Sequence, residues 1–454
     1  MTDLTKGNVA RQILTFSVPM LLGNIFQQLY NIVDSIIVGK FLGKEALASV
    51  GASFPVIFTI IALIIGIGGG ASVVISQYFG AQDKESVKKA VDTMNIFLLI
   101  TGLIISITGV LLSRWIFTLL QLPEELMESA TTYLNIYLMG MLVFFGFNSI
   151  TSILRGVGDS KNPLYYLIIA TVLNIGLDIL FVVGFGWGIA GAAWATVISQ
   201  GVAFVIAVIH INRKHSIIRI DIWGIKFDWK IFVQSLRIGL PTGIQHTFVA
   251  LGMMALTGIV NTFGTDVIAA FTAASRIDSL ASLPAMTLSV AISVFVGQNI
   301  GANKFQRISQ GLRVSLLFAS LFSVTMTIVA LFWSEPMMMI FSNDPNVIAI
   351  GKDYLIIVSL FYLLFSTMFV YNGLLRGAGA TLVPMFITLF SLWLIRIPLA
   401  VFLSRYMGES GIWWSIPIAW LFGVTGAMLY YRYGNWKDKG VVKVGKSKSK
   451  EQEG

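Results

Sequence analysis

Four side chains in the first half of this 454-residue chain could do chemistry together. Asp34 lies deep in one apolar stretch. Asn174 and Asp178 lie four residues apart in another, a spacing that puts both on one helix face. Thr196 opens the polar face of a third, continued by Ser199 and Gln200. Asn24, Gln27, Asn31 and Asp34 follow one another at steps of 3, 4 and 3, so they also share a face. Isolated interhelical hydrogen bonds, worth about 0.6–2 kcal/mol each, account for Asn24 or Ser199. They are a poor account of two carboxyls, because ionisable groups in hydrocarbon are costly and point to function. A carboxyl that is buried beside a like charge titrates well above its usual ~3.9, which suits a proton carrier. The oxygens of Asp34, Asn174, Asp178 and Thr196 are equally hard ligands suited to a small cation such as sodium, and they would hold a metal ion only if the coupling is to sodium. The residues themselves leave proton and sodium open.

The second half carries fewer such groups. Arg276 and Asp278 sit in one apolar stretch and Arg396 in another, where they either neutralise one another or line a cavity. His246 follows Gln245 on a further stretch; His210, His215 and His246 have no metal-ligand spacing. Gln27, Asn31, Gln200, His246, Arg276 and Asp278 are the candidates for lining a substrate cavity.

The elements that must position these groups are membrane helices. The composition is 56% hydrophobic and 12% charged, half the charge of an ordinary soluble domain. There is no cysteine, hence no disulfide, thiolate metal site or cysteine nucleophile. A bilayer crossing needs roughly 20 mostly apolar residues. Twelve such stretches lie near 12–38, 48–78, 92–113, 131–154, 163–186, 189–211, 231–262, 267–299, 311–333, 347–374, 382–406 and 412–431. Pro55 and Pro284 are candidate kinks. With both termini inside, 24 of the 31 Lys and Arg fall at the cytoplasmic connections and tail, and 5 at the outer ones. The net charge of +9 is therefore mostly topological, and no nucleic-acid partner is expected.

The chain also repeats itself. Leu154-Arg155-Gly156-Val157-Gly158 recurs as Leu375-Arg376-Gly377-Ala378-Gly379, an offset of 221 that also pairs Tyr133 with Tyr354, Pro163 with Pro384 and Gln77 with Gln298. Six crossings per half make a parallel repeat. The expected fold is an all-α integral membrane protein of twelve transmembrane helices, in two pseudo-symmetric six-helix bundles around a central cavity. The N-terminal lobe takes residues 1–220 with the start of the linker, the C-terminal lobe 221–432, and a basic disordered cytoplasmic tail 433–454. Such a duplication favours transport by rocking bundles over an enzyme or a receptor. Two motifs are decoys. Gly440 to Ser447 spells a phosphate loop without the strand and helix it requires. Gly66 to Ala71 imitates a dinucleotide loop inside a transmembrane run, where close helix packing explains it.

The residues that follow Pro19 (Met-Leu-Leu-Gly-Asn), the run from Asp34 through Gly43 to Ala48, Gln77-Tyr-Phe-Gly-Ala81 and the doubled Leu-Arg-Gly-x-Gly resemble the multidrug and toxic compound extrusion (MATE) family over about residues 8–432. The resemblance implies a secondary transporter that exports small amphipathic or cationic compounds in exchange for protons or sodium ions, without other cofactor. It further implies a multi-pass monomer in the lipid of the plasma membrane, both termini cytoplasmic. The family's DinF-like branch uses an aspartate on the first helix, an asparagine and aspartate four apart on the fifth and a threonine on the sixth. Asp34, Asn174, Asp178 and Thr196 match these one by one. The NorM-like branch adds acids on the seventh and tenth helices. Here 231–262 holds none and the tenth stretch only Asp353, so coupling through the N lobe is favoured. The rival within transport is a flippase for a lipid-linked sugar or another amphipathic lipid, which Arg276 and Arg396 support and the two aspartates oppose.

Overall fold

The computed structural model describes residues 1–220 and 224–442. Among them there are helices and connecting turns and no strands. The first half contains α1 (Val9–Ile37), α2 (Lys44–Gly80), α3 (Lys84–Leu119), α4 (Glu124–Met139), α5 (Met141–Gly156), α6 (Lys161–Asp178) and α7 (Gly188–Lys214). The second contains α8 (Trp229–Val260), α9 (Thr265–Gly301), α10 (Phe305–Met339), α11 (Pro345–Ser359), α12 (Tyr362–Gly377), α13 (Leu382–Leu389), α14 (Ile397–Met407) and α15 (Glu409–Tyr433).

The duplication is written into the backbone. α9 starts and ends 221 residues after α2, and α12 does the same after α5. The left-handed positions repeat at that offset too: Gly43 with Gly264, Gln82 with Asn303, and Gly158 with Gly379. α4 and α5 meet at a bend of 48°, and α11 and α12 at one of 50°. Neither bend is at a proline. At the first, Gly140 lets the chain pass close to Val197, whose Cγ2 would lie 2.5 Å from a Cβ there. Pro55 and Pro284 lie inside α2 and α9.

Nine described helical runs are long and apolar enough to cross a membrane, or eleven with the two bent pairs. One of the nine, Val9–Gly80, is 72 residues long. At 1.5 Å per residue that is several times a hydrocarbon core of ~30 Å. Gly43 divides it into two crossings, which makes twelve. Large apolar side chains face outward, as lipid requires: Leu111, Phe332 and Ile340 are all more than 70% exposed. Alanine, glycine and serine are packed inside instead, because small residues let helix backbones approach where no hydrophobic force drives them together. The doubled motif serves this approach. A Cβ on Gly377 would lie 2.2 Å from the Ser293 carbonyl oxygen of α9.

Two compact units result. The first comprises Met1–Thr2 and Val18–Leu236; the second comprises Asp3–Ser17 and the chain from Arg237 onward. Residues 3–17 therefore group with the C-terminal half, against the assignment of 1–220 to one lobe. Leu4 is buried there: its N–H donates to Gln298 Oε1 at 2.9 Å, and its carbonyl accepts from Asn299 and Arg307. α1 changes unit between Ser17 and Val18, one residue before Pro19. The linker docks on the first unit, where Thr93 Oγ1 accepts from Asp228 N and the Arg219 carbonyl accepts from Lys88. The tail does not become irregular at 433 as composition suggested. Trp436 is buried, stacks on Tyr431 at 5.3 Å and donates to the Tyr431 carbonyl. The end of the phosphate-loop pattern and the basic run 443–454 lie outside the described residues.

Candidate functional site

Three helices of the first unit bring the four predicted residues into one buried pocket. Asp34 lies in the last turn of α1, just before the helix widens into a π-helical segment, Val38–Leu42. Asp178 is the last residue of α6 before a second π-helical segment, Ile179–Gly184. Such widenings often mark functional sites, because an extra residue in the turn re-aims the side chains around it. α7 supplies Thr196. Asp34 is 9% exposed, Asn174 1%, Asp178 0% and Thr196 2%.

Thr196 is the pin of the pocket. Its hydroxyl accepts from Tyr30 OH at 3.2 Å and Asn174 Nδ2 at 3.4 Å, and donates to the Ala192 carbonyl at 3.2 Å. These bonds orient the Asn174 amide so that its oxygen faces away from the threonine. Asp34 and Asp178 lie within hydrogen-bond reach of each other. Yet Asp34 Oδ1, Asn174 Oδ1 and both carboxylate oxygens of Asp178 are buried and receive no hydrogen bond from a donor among the described residues. No lysine or arginine among the described residues acts on either acid.

Four acceptor oxygens without a donor are a strong electrostatic statement. Two unit charges ~4 Å apart repel by about 4 kcal/mol at an effective dielectric of 20. A buried acceptor left unsatisfied costs a further 1–3 kcal/mol or so. Positive charge relieves both: a proton on one carboxyl bridges to the other, and a small cation satisfies all the oxygens together.

Three tyrosines complete the walls, and sequence reasoning missed them. Tyr30 of α1 and Tyr133 and Tyr137 of α4 are close enough to feel the Asp34 charge. Tyr137 also stacks on Phe144 at 4.5 Å. The signal was available in part, since Tyr30 stands four residues before Asp34, and Tyr133 four before Tyr137. Ser199 and Gln200 are buried on α7, and Ser199 donates to the Thr196 carbonyl. Gln27 and Asn31 are exposed on α1, so the polar stripe of that helix contributes only its last member to the buried pocket.

The other candidates belong to the second unit. His246 is half-buried near Arg376. Arg276 is exposed. Asp278 is half-buried, accepts from Tyr354 OH at 3.5 Å and from Tyr362, and feels the charge of Arg396. Within this half the charge that acts on Asp278 is therefore that of Arg396, without a direct ion pair among the described residues, and Arg276 is left out.

A duplicated bundle of twelve crossings with an acid pair buried in one half defines a membrane transporter rather than an enzyme. The MatE family model matches residues 19–180 and 241–402, one block in each half, and the chain belongs to that family, the MATE transporters. It is 36% identical over 438 residues to the probable multidrug resistance protein YpnP of Bacillus subtilis (strain 168), covering 96% of this chain and 97% of the relative. It is 29% identical over 441 residues to the probable multidrug resistance protein NorM of Thermotoga maritima, covering 96% and 94%. Among solved structures, the outward-facing conformation of a multidrug resistance MATE family transporter of the MOP superfamily superposes with a TM-score of 0.88 at 26% identity, over 95% of this chain and 96% of that one.

Proposed function

We propose that this protein is a cation-coupled antiporter that exports small amphipathic or cationic compounds, with the coupling ion taken up at Asp34, Asn174, Asp178 and Thr196. The observation that carries this reading is the set of four buried acceptor oxygens without donors, two of them on one aspartate and one on a second aspartate beside it. Its substrate class follows the multidrug resistance proteins to which the chain is similar.

Proton and sodium both fit the donor set. Either one neutralises the carboxyl pair and lets α1, α6 and α7 draw together; its departure restores the repulsion and loosens them. A ligand shifts a two-state equilibrium only by its differential affinity for the two states, and the acid pair provides that difference. α1 is the element best placed to pass the change on, since its first residues group with one unit and Asp34 with the other. The two bundles then rock between inward- and outward-open states, with both termini cytoplasmic in the plasma membrane and one chain sufficient.

Substrate counterflow in proteoliposomes, with proton and sodium gradients imposed separately, tests the assignment. Acceleration by one gradient, and its loss in Asp34→Asn, is expected. Equal transport with and without either gradient refutes ion coupling and leaves the lipid-flippase reading, for which the exposed Arg276 on α9 would be an anchor for an anionic headgroup.

A further inference from the structure

The second unit contains a half-buried polar cluster that the ion-coupling reading does not use. Asp278 on α9 accepts from Tyr354 OH of α11 and from Tyr362 of α12. Arg396 ends the π-helical segment Phe390–Arg396, between α13 and α14, and its charge acts on Asp278 and Tyr354. Among the described residues Arg396 Nε has no hydrogen-bond partner, and Nη1 meets Met253 Sδ at 3.8 Å. The half-buried guanidinium lies in the field of Asp278 and Tyr354.

The place of this cluster in the repeat is informative. Tyr354 is the counterpart of Tyr133, which walls the Asp34–Asp178 pocket in the first unit. Arg396 lies 221 residues after Ile175, on the element equivalent to the one that bears Asn174 and Asp178. Both elements also carry a π-helical segment. The two halves therefore build polar pockets that share one tyrosine position, Tyr133 and Tyr354, and take opposite charge from the corresponding element, while Asp278 itself stands on α9, the counterpart of α2. In the first unit two acids face each other with no resident cation. In the second a single acid is matched by a resident one.

We propose that the Asp278 cluster is a pre-neutralised counterpart of the ion pocket. The Arg396 guanidinium stands permanently where the first unit takes an exchangeable cation, and its removal converts the cluster into a second site for a small monovalent cation. The protein thus couples transport to one ion pocket rather than two because one of the duplicated pockets has its cation built in. The groups facing Asp278 are Tyr354, Tyr362 and Arg396 from three other elements. Arg276, two residues away on its own helix, is exposed. The inference leans on the Asp34–Asp178 reading for the comparison, but its test does not.

The full-length chain is purified in detergent, and bound cation is measured with radiosodium and, separately, by proton uptake with a pH indicator. In an Asp34→Asn, Asp178→Asn background, adding Arg396→Gln should raise uptake by about one cation per chain, as a half-buried carboxyl that has lost its neighbouring positive charge demands. Adding Asp278→Asn to that variant should abolish the gain, and Arg396→Lys in place of Arg396→Gln should give none. No gain with Arg396→Gln overturns the proposal. If Arg396→Gln does not yield folded protein, Asp278→Asn in the otherwise native chain decides. Bound cation per chain should not fall, and a drop would show that Asp278 already holds an exchangeable ion. Cation binding that survives in the Asp34→Asn, Asp178→Asn background counts against the first pocket, while the increment due to Arg396→Gln still reads the second.

Discussion

At the scale of single residues, the pocket predicts distinct phenotypes for its acids and its pin. Asp34→Asn and Asp178→Asn each replace a carboxyl oxygen with an amide donor that the remaining acid can accept from. The repulsion that selects for a cation disappears, and gradient-driven efflux should fall at least about tenfold at matched expression. Thr196→Val removes the acceptor for Tyr30 and Asn174. Losing a buried partner costs about 1–3 kcal/mol, so the ion concentration for half-maximal transport should rise about tenfold while the maximal rate changes little. Ion titrations of substrate counterflow separate the two outcomes. Outside the membrane, His215 follows the last residue of α7, where burial pushes its imidazole below the ordinary value of 6.5, helped by the positive N-terminus. The unfolded chain then takes up a proton more readily than the folded one, so stability is full above about pH 6.5 and declines as pH falls below it. Thermal unfolding of purified protein between pH 8 and 5.5 should show this decline, and His215→Gln should flatten it.

The elements follow the duplication closely, and the close approach of paired helices is where they are most vulnerable. Gly377 on α12 faces the Ser293 carbonyl of α9 so closely that a Cβ would be 2.2 Å from the oxygen; at Gly156 the equivalent approach to the Ser72 carbonyl is 2.9 Å. Backbone cannot yield as a side-chain tip can. Gly377→Ala should therefore destabilise by about 1–3 kcal/mol as an overpacking change, more than Gly156→Ala, read as the midpoint of thermal unfolding in detergent. Much at this scale was legible beforehand, since twenty apolar residues in a row have few alternatives to a crossing. The bends and the π-helical segments were not. No proline marks either bend, and a π-turn depends on how the helix packs against its neighbours, which leaves no trace in the periodicity of the helix itself.

At the scale of the molecule, the distribution of Lys and Arg predicts one orientation. The absence of cysteine makes that testable, since any introduced thiol is the only one present. Glu124→Cys, before the fourth crossing, should react with a membrane-impermeant maleimide in intact cells. Lys84→Cys, between the second and third, should react only after the membrane is opened. The reverse pattern would overturn the positive-inside assignment and move the basic tail outside.

The amino-acid order by itself determined the crossings, the parallel repeat and the acids that hydrocarbon cannot tolerate for nothing, because each of these is a property of one segment or of the chain compared with itself. Tertiary structure decided which groups meet. It brought Asp34 beside Asp178, tied Asn174 and Tyr30 to Thr196, and added Tyr133 and Tyr137. It left Gln27 and Asn31 exposed and put Asp278 in the field of Arg396 rather than of its near neighbour Arg276. It also assigned residues 3–17 to the half that follows them last in sequence. The reason is geometric: spacing along a helix tells which residues share a face, but which way that face turns is set by the small residues, glycines and widened turns through which helices pack.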